Sequence, residues 1–337
     1  MAISKIIPRA IAWASPPRNY IVNGAMQVSQ ENGTAAGTTD GYYPVDQFVI
    51  GKLNDGAVSV AQVASATPGG SPTRVRVTVT SVDTALAAGQ YLFLAQLVEG
   101  LQVADLRYGS ASAKTITVQF GVKAPAGTYS VSIRNSAADR SYIAEFVISA
   151  GEANTDVVKS VTIPGDTAGT WLTTNGIGLR LLFVLASNSN LGTAGSWSAS
   201  NVWASSGMPS GATNFMGTNS QVFELFDVSL TQGSVAPAFQ VPNYAEQLAL
   251  CQRYWFPIQS AAYVFPAPGA TYAFNFRYEF PSSMRAAPTV TTTYSGQANV
   301  SSTAASVRTT DFFTEQVSAT GAGNVSFTLV ATANSRL

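Results

Sequence analysis

The sequence predicts an all-β, antiparallel sandwich, followed by one short helix and a smaller C-terminal β unit. Three observations carry this: period-two alternation of apolar and polar residues dominates the chain, turn-forming residues separate the alternating runs, and a single segment has a helical period. Short strands with one polar side indicate antiparallel sheets that each keep a face in water. The lack of long 3.6-period segments disfavours βαβ crossovers.

Residues 1–18 read as an N-terminal attachment arm. Ile3, Ile6, Ile7, Ile11 and Trp13 are apolar with no domain of their own to pack in, and such a strip marks a protein contact. Pro8 and Arg9 interrupt the apolar stretch, which argues against a signal peptide. Residues 19–242 form the main domain. Thr73–Thr80 places Val75, Val77 and Val79 on one face, and Lys114–Val122 does the same with Ile116, Val118, Phe120 and Val122. Ala124–Gly127 is a turn, and strands follow at Thr128–Arg134, Tyr142–Ile148, Val157–Ile163, Ile177–Leu185 and Val222–Leu230. Between the last two lies Ser187–Ser220, rich in Asn, Ser, Gly, Thr and Ala but holding Trp197, Trp203 and Phe215. Connections of that length in a compact domain are functional or disordered, and two tryptophans favour order.

Pro237–Asn243 is the expected boundary, and residues 243–256 the linking helix. Asn243 is an N-cap with Glu246 three residues on, and Tyr244, Leu248, Cys251 and Trp255 share one stripe that Pro257 ends. Residues 257–337 return to β patterns at Tyr272–Phe280, Pro288–Tyr294 and Val325–Ala331.

Composition narrows the chemistry. The 337 residues include 18 Lys+Arg and 18 Asp+Glu, no histidine and one cysteine, Cys251. Without histidine there is no Ser-His-Asp or Cys-His nucleophile and no His-ligated metal. One cysteine makes no intrachain disulfide, and Cys251 on the helical stripe reads as a buried small apolar residue. Zero net charge without a basic run argues against nucleic acid as a partner. The longest apolar run, Leu181–Ala186, is strand-sized, so no membrane insertion is expected. Charged residues make up 11%, against about 25% in ordinary soluble domains. A surface so poor in charge tolerates self-association.

An ordered set of motifs resembles a known family. Asn19-Tyr20-Ile21-Val22-Asn23-Gly24-Ala25-Met26-Gln27-Val28 is followed by Tyr43-Pro44-Val45-Asp46-Gln47-Phe48. Next come Thr162-Ile163-Pro164-Gly165-Asp166-Thr167-Ala168-Gly169-Thr170-Trp171 and Asn175-Gly176-Ile177-Gly178-Leu179. Val228-Ser229-Leu230-Thr231-Gln232-Gly233-Ser234-Val235-Ala236-Pro237-Ala238-Phe239 precedes the helix Tyr244–Tyr254, and Phe280-Pro281-Ser282-Ser283-Met284-Arg285-Ala286-Ala287-Pro288-Thr289-Val290 lies beyond it. Together these resemble bacteriophage tail and fibre proteins with a carbohydrate-binding-module-like jelly-roll domain and a small C-terminal β domain. The resemblance spans roughly residues 19–337.

It implies a jelly-roll sandwich in a virion protein, made in the bacterial host cytoplasm and often trimeric. The expected partners are other virion proteins, copies of itself and a host-surface glycan. Two departures bear on metal binding. Ala25 stands where the family often has an acidic residue, and Thr231 replaces a carboxylate. Related modules hold structural calcium through such groups, since Ca²⁺ takes six to eight hard oxygen ligands. Glu31, Asp40, Asp46, Glu224 and Asp227 remain as metal-ligand candidates; the expectation is otherwise no cofactor.

Sugar binding needs an aromatic face for the apolar side of a pyranose and amides or carboxylates for its hydroxyls. Trp197, Asn201 and Trp203 of the long polar segment, with Trp171 after its Gly-Asp-Thr turn, offer that combination; the alternative is that these rings cap the sandwich or fill an interface. A second aromatic set, Tyr263, Phe265, Tyr272 and Phe274, surrounds a Pro-Ala-Pro-Gly turn and reads first as a hairpin packed in its own domain. Asp105, Asp139, Asp156 and Asp166 lie near turns, and no pair sits at a recognisable glycosidase motif. The chain is therefore expected not to be an enzyme. The expected function is a tail fibre or receptor-binding component. The alternatives are a head fibre, decoration or baseplate subunit with a purely structural role, or a carbohydrate-active enzyme.

Overall fold

The computed structural model describes residues 18–205, 213–269 and 272–337. The arm residues Ile3, Ile6, Ile7, Ile11 and Trp13 lie outside them. The strands run β1 (Phe48–Leu53), β2 (Ala57–Ala64), β3 (Thr73–Ser81), β4 (Tyr91–Glu99), β5 (Ile116–Lys123), β6 (Gly127–Arg134), β7 (Ser141–Ile148), β8 (Val157–Ile163), β9 (Ile177–Ser187), β10 (Leu191–Gly192), β11 (Trp197–Ser198), β12 (Ala204–Ser205) and β13 (Val222–Gln232). After helix α2 (Tyr244–Gln252) come β14 (Trp255–Ala267), β15 (Ala273–Glu279), β16 (Thr289–Ala298), β17 (Val300–Arg308), β18 (Phe312–Ala319) and β19 (Gly323–Asn334). A single helical turn, α1 (Gly100–Val103), follows β4.

Two antiparallel sheets, ordered β1-β4-β9-β6-β7-β11 and β2-β3-β13-β5-β8, form a jelly-roll-type sandwich. The alternation of the sequence is what closes it. Val75, Val77, Val79, Val118, Phe120 and Val122 of one sheet meet Leu92, Leu94, Tyr129, Val131 and Phe183 of the other. Phe120 sits edge-on to Phe146 and Phe183, with ring centroids 4.9 and 5.0 Å away. The register places every second residue outside. Arg76, Glu224 and Lys123 therefore form a row across three strands of the second sheet.

The residues after α2 build two further sheets, β14-β19-β16 and β15-β18-β17, around Met284, Phe313, Val325 and Phe327. The helix is shorter than its sequence pattern. Asn243 caps it, its Oδ1 accepting from the backbone N–H of Ala245 and Glu246 at 2.9 and 3.4 Å. Trp255, however, belongs to β14 and pairs with Asn334 of β19. Strand pairing takes the backbone of Trp255–Ile258, so the helix stops before Pro257 can act as its terminator. Cys251 is buried with Val22 and Val28, Leu248 packs on them, and Tyr244 is exposed.

Several family-like motif residues act as ties between segments. The Asn23 side chain holds its own loop, donating to the carbonyls of Val28 and Asp46 at 2.8 and 2.9 Å, while its backbone N–H donates to Gln247 of α2 at 2.7 Å. Gly24 lies so close to the Val228 carbonyl that a Cβ there would sit 2.0 Å from the oxygen. Arg285 donates to the carbonyls of Asn175 and Ser335 at 2.7 Å each, and the Asn175 side chain donates back to the Arg285 carbonyl at 3.1 Å. The buried carboxylate of Glu99, at the end of β4, receives the Arg253 guanidinium through two bonds of 3.0 and 2.7 Å and the Tyr254 hydroxyl at 2.8 Å.

Glu99→Ala strands the Arg253 charge and should cost about 3–5 kcal/mol of stability, measured by denaturant unfolding. A second expectation concerns Glu315, buried on β18 and bonded by the Tyr294 hydroxyl. Burial pushes its carboxyl above the ordinary range. An acid raised in the folded state contributes fully below its unfolded pKa and loses that contribution as pH climbs to the folded value. Wild-type stability should therefore fall relative to Glu315→Gln from about pH 4 upward, in paired melting curves.

Candidate functional site

The four residues singled out for sugar binding fall into two separate clusters, one half-buried at the sandwich edge and one over the outer face of the first sheet. Trp171 and Trp197 stand edge to face at 5.6 Å, with Tyr108 packed against both at 4.8 and 5.9 Å. Tyr142 closes on Trp197 at 5.3 Å. Both indole N–H groups are used internally: Trp197 donates to the Pro164 carbonyl at 2.9 Å, and Trp171 to the Ala168 carbonyl at 3.2 Å. The cluster rests on the sandwich core. Beside it is a cavity of about 10 Å³, lined by Leu106, Tyr108, Trp171 and Leu179. That is room for one water, and the buried Tyr108 hydroxyl has no protein partner.

Trp203 is only 4% exposed. It lies over the outer face of the first sheet, edge-on to Tyr91 and Phe93 at 5.2 and 5.3 Å, and packs with Leu182 and Val184. Gly51 makes this possible. It pairs with Phe93, and a Cβ there would lie 2.2 Å from the Phe93 ring. Asn201 is exposed, but its Oδ1 already accepts from Arg134 at 2.5 Å. Trp203 is thus a packing residue of the outer face, and the half-buried Trp171 and Trp197 pack on the sandwich edge, so the four residues are not brought into one platform. Packing the rings this way covers apolar area that a polar segment would otherwise leave open.

The metal candidates are not brought together either. Asp46 accepts from Gln30, Glu31 pairs with Arg336, and Asp40 accepts from the Lys52 backbone. Glu224 is held by Arg74 and Arg76, and Asp227 by the Ser71 hydroxyl and the Gly69 N–H. Among the described residues no three acidic or thiol side chains are grouped to hold a metal ion. A shared calcium site built from these five does not fit. The turn carboxylates are engaged as well: Asp166 forms a two-bond pair with Arg140 at 2.6 and 2.7 Å, Asp156 pairs with Arg74, Asp105 accepts from Tyr20 and Asp139 from Asn135. In the second aromatic set, Phe265 and Phe274 pack at 3.8 Å and Tyr272 on Phe274 at 4.9 Å, within the C-terminal unit.

The concave site lies elsewhere, on the outer face of the second sheet. An open groove of about 560 Å³ is lined by Arg76, Lys123, Asn154, Asn219, Gln221 and Glu224, among others. Its floor is fixed. The Arg74 guanidinium, buried over the Phe226 ring at 4.4 Å, donates to Glu224 and Asp156 at 2.8 Å each. The Phe226 ring in turn lies over Gly121, where a Cβ would be 2.0 Å from it. Arg76 Nε donates to the other Glu224 oxygen at 2.6 Å. Above this neutralised floor, the side chains of Lys123, Asn154 and Asn219 form no hydrogen bond among the described residues, and the Gln221 Oε1 is buried without a partner. The groove therefore presents ammonium and amide donors and amide acceptors, with no aromatic wall: a lining for a polyhydroxylated ligand of neutral or mildly anionic character.

No protein-family model matches the chain, and no curated protein matches it. Solved structures with detectable similarity include the enzymatically active domain of tailspike protein 4 of bacteriophage CBA120, at 12% identity over 64% of this chain and 21% of that one, with a TM-score of 0.29. They also include a family 11 carbohydrate-binding module of a Clostridium thermocellum cellulosomal cellulase, at 11% identity over 60% of this chain and 96% of the module, with a TM-score of 0.29. The CBM22-1 xylan-binding domain from Paenibacillus barcinonensis gives 10% identity, 66% and 99% coverage, and a TM-score of 0.30. The chain spans about a fifth of the tailspike domain's length. Each is a likeness of fold. No helix among the described residues is long and apolar enough to cross a membrane.

Trp203→Ala should act as a core truncation, lowering stability by about 3–5 kcal/mol in denaturant unfolding. A well-folded variant of unchanged stability would contradict the packing role.

Proposed function

We propose that this chain is a non-catalytic virion protein of a tailed bacteriophage, a tail fibre or receptor-binding component, whose sandwich takes a host-surface glycan in the groove of the second sheet. One observation carries the glycan part: Lys123, Asn154, Asn219 and Gln221 converge on an open groove with hydrogen-bonding capacity unused by the protein. Sugar hydroxyls both donate and accept, so a rim of amides and one ammonium matches them. The ordered motifs from Asn19 to Val290 support the phage assignment, and the apolar residues of the N-terminal arm support attachment to another virion subunit or to copies of the same chain.

A groove without an aromatic platform binds weakly per site. Several copies on one particle raise avidity by about 10²–10⁴ where geometry permits.

A second reading is a head fibre, decoration or baseplate subunit with a purely structural role. The internal packing of Trp171, Trp197 and Trp203 favours it.

Binding to purified host-surface polysaccharide separates the two. Lys123→Ala and Gln221→Ala should each weaken it about two- to tenfold without changing the melting temperature. Equal binding by wild type and the double variant would refute the groove, and no binding by wild type would leave the structural role.

A further inference from the structure

The outer face of the first sheet carries a pair of arginines with nothing negative beside them. Arg134 of β6 and Arg180 of β9 are direct cross-strand partners. Like charges placed opposite each other on one face destabilise a sheet unless something offsets them. Each guanidinium has five N–H donors. Arg134 uses one on the Asn201 side chain at 2.5 Å, and Arg180 reaches the Ser136 carbonyl at 3.4 Å. The Nε atoms of both are buried without a partner among the described residues. Neither arginine takes part in an ion pair among the described residues, whereas the other buried guanidinium on a sheet face, Arg74, is neutralised by two carboxylates. Burial, and then the Arg180 charge, push Arg134 down to about 10.

The surroundings continue the polarity inward. Ser130 and Ser132 point from the same face of β6 as Arg134; both are fully buried, and their hydroxyls have no hydrogen-bond partner among the described residues. Ser205 of β12 is in the same condition. On the other side, the Trp203 ring faces the Arg134 guanidinium at 5.8 Å, and Asn201 is exposed at the rim. Two guanidiniums outside ion pairs thus lie with unmet hydroxyls and an exposed amide on one sheet face.

We infer that the Arg134–Arg180 pair is a binding site for an oxyanion group, carboxylate or phosphate, carried on a small ligand such as an acidic or phosphorylated sugar. Each guanidinium offers a planar fork that suits a carboxylate or phosphate through two parallel bonds. The anion supplies the negative charge that the arginine pair lacks; the nearest carboxylate on this face of β6 and β7, Glu145, is the cross-strand partner of Ser130 and not of either arginine. The site is on the opposite sheet from the groove, so it stands or falls independently of glycan binding there.

The test uses the full chain at low salt with three probes: glucuronate, glucose 6-phosphate and glucose. At least one anionic sugar should raise the melting temperature and bind by calorimetry, and glucose should do neither. A response to glucuronate alone assigns a carboxylate, and a response to glucose 6-phosphate alone assigns a phosphate. Binding should weaken with added NaCl and fall about tenfold or more in Arg134→Gln and in Arg180→Gln. Without ligand, Arg180→Gln should melt no lower than wild type, because it removes like-charge repulsion; that readout shows the variant is folded. The inference is overturned if neither anion stabilises the wild type, or if the double variant responds as the wild type does.

Discussion

Glu99 holds the two halves of this molecule in one arrangement. Its carboxylate leaves the end of β4 and is met by Arg253 and Tyr254, the two residues between α2 and β14. Those residues are themselves held from the other side. The Arg253 carbonyl accepts from the Arg285 N–H at 2.8 Å and from the Ser335 hydroxyl at 3.0 Å, and the Tyr254 carbonyl accepts from the Ser335 N–H at 2.8 Å. A single buried charge thus anchors the two residues that link α2 to β14, and Ser335, just after β19, bonds the carbonyls of the same two residues. Desolvating Glu99 is offset because all three bonds come from donors fixed by the fold. The charge-assisted bonds from Arg253 are the stronger kind.

The low charge content takes on a specific meaning in this light. Charges are few, and many are committed to buried pairs: Glu99 with Arg253, Asp166 with Arg140, and Glu224 with Arg74 and Arg76. Hydroxyls and amides are left to make the solvent-facing surface. Of the cations outside such pairs, Lys123 lines the groove of the second sheet, and Arg134 and Arg180 oppose each other on the first. The two outer faces are therefore different surfaces. One is an open groove of hydrogen-bonding groups; the other is covered by residues around Trp203, with two cations beneath them.

Much of the fold is legible in the sequence. Strand β8 falls on the alternating run Val157–Ile163, and β6, β7, β9 and β13 fall within one or two residues of theirs, because their inward residues recur as apolar at a period of two. The elements that sequence reading misses have mixed or continuous patterns. In β4, Ala95 is buried as well as the inward Leu92 and Leu94, since Trp203 covers the outer side, and Gln96 is buried on the inward side where it bonds the Val22 backbone. Trp255 has the right spacing for the helix yet joins a strand, because tertiary pairing with β19 overrides local periodicity.

The site was far less legible. Tryptophans in a polar segment look like a ligand platform, but the same rings also pack on a sheet, and only the burial and packing partners of each ring show how it is used. The groove residues come from β3, β5, the turn before β8 and the approach to β13, so only the register assembles them. Alternation alone places Arg76 and Lys123 on outward positions. It does not place them in one row with Glu224.

The central claim, that this sandwich meets a glycan through the groove of its second sheet, is tested most directly by mapping amide and indole resonances during titration with fragments of host-surface polysaccharide. The largest shifts should fall on the side-chain amides of Asn154, Asn219 and Gln221, with the indole signals of Trp171, Trp197 and Trp203 unmoved. Shifts confined to the indoles, with the groove amides silent, would contradict the account.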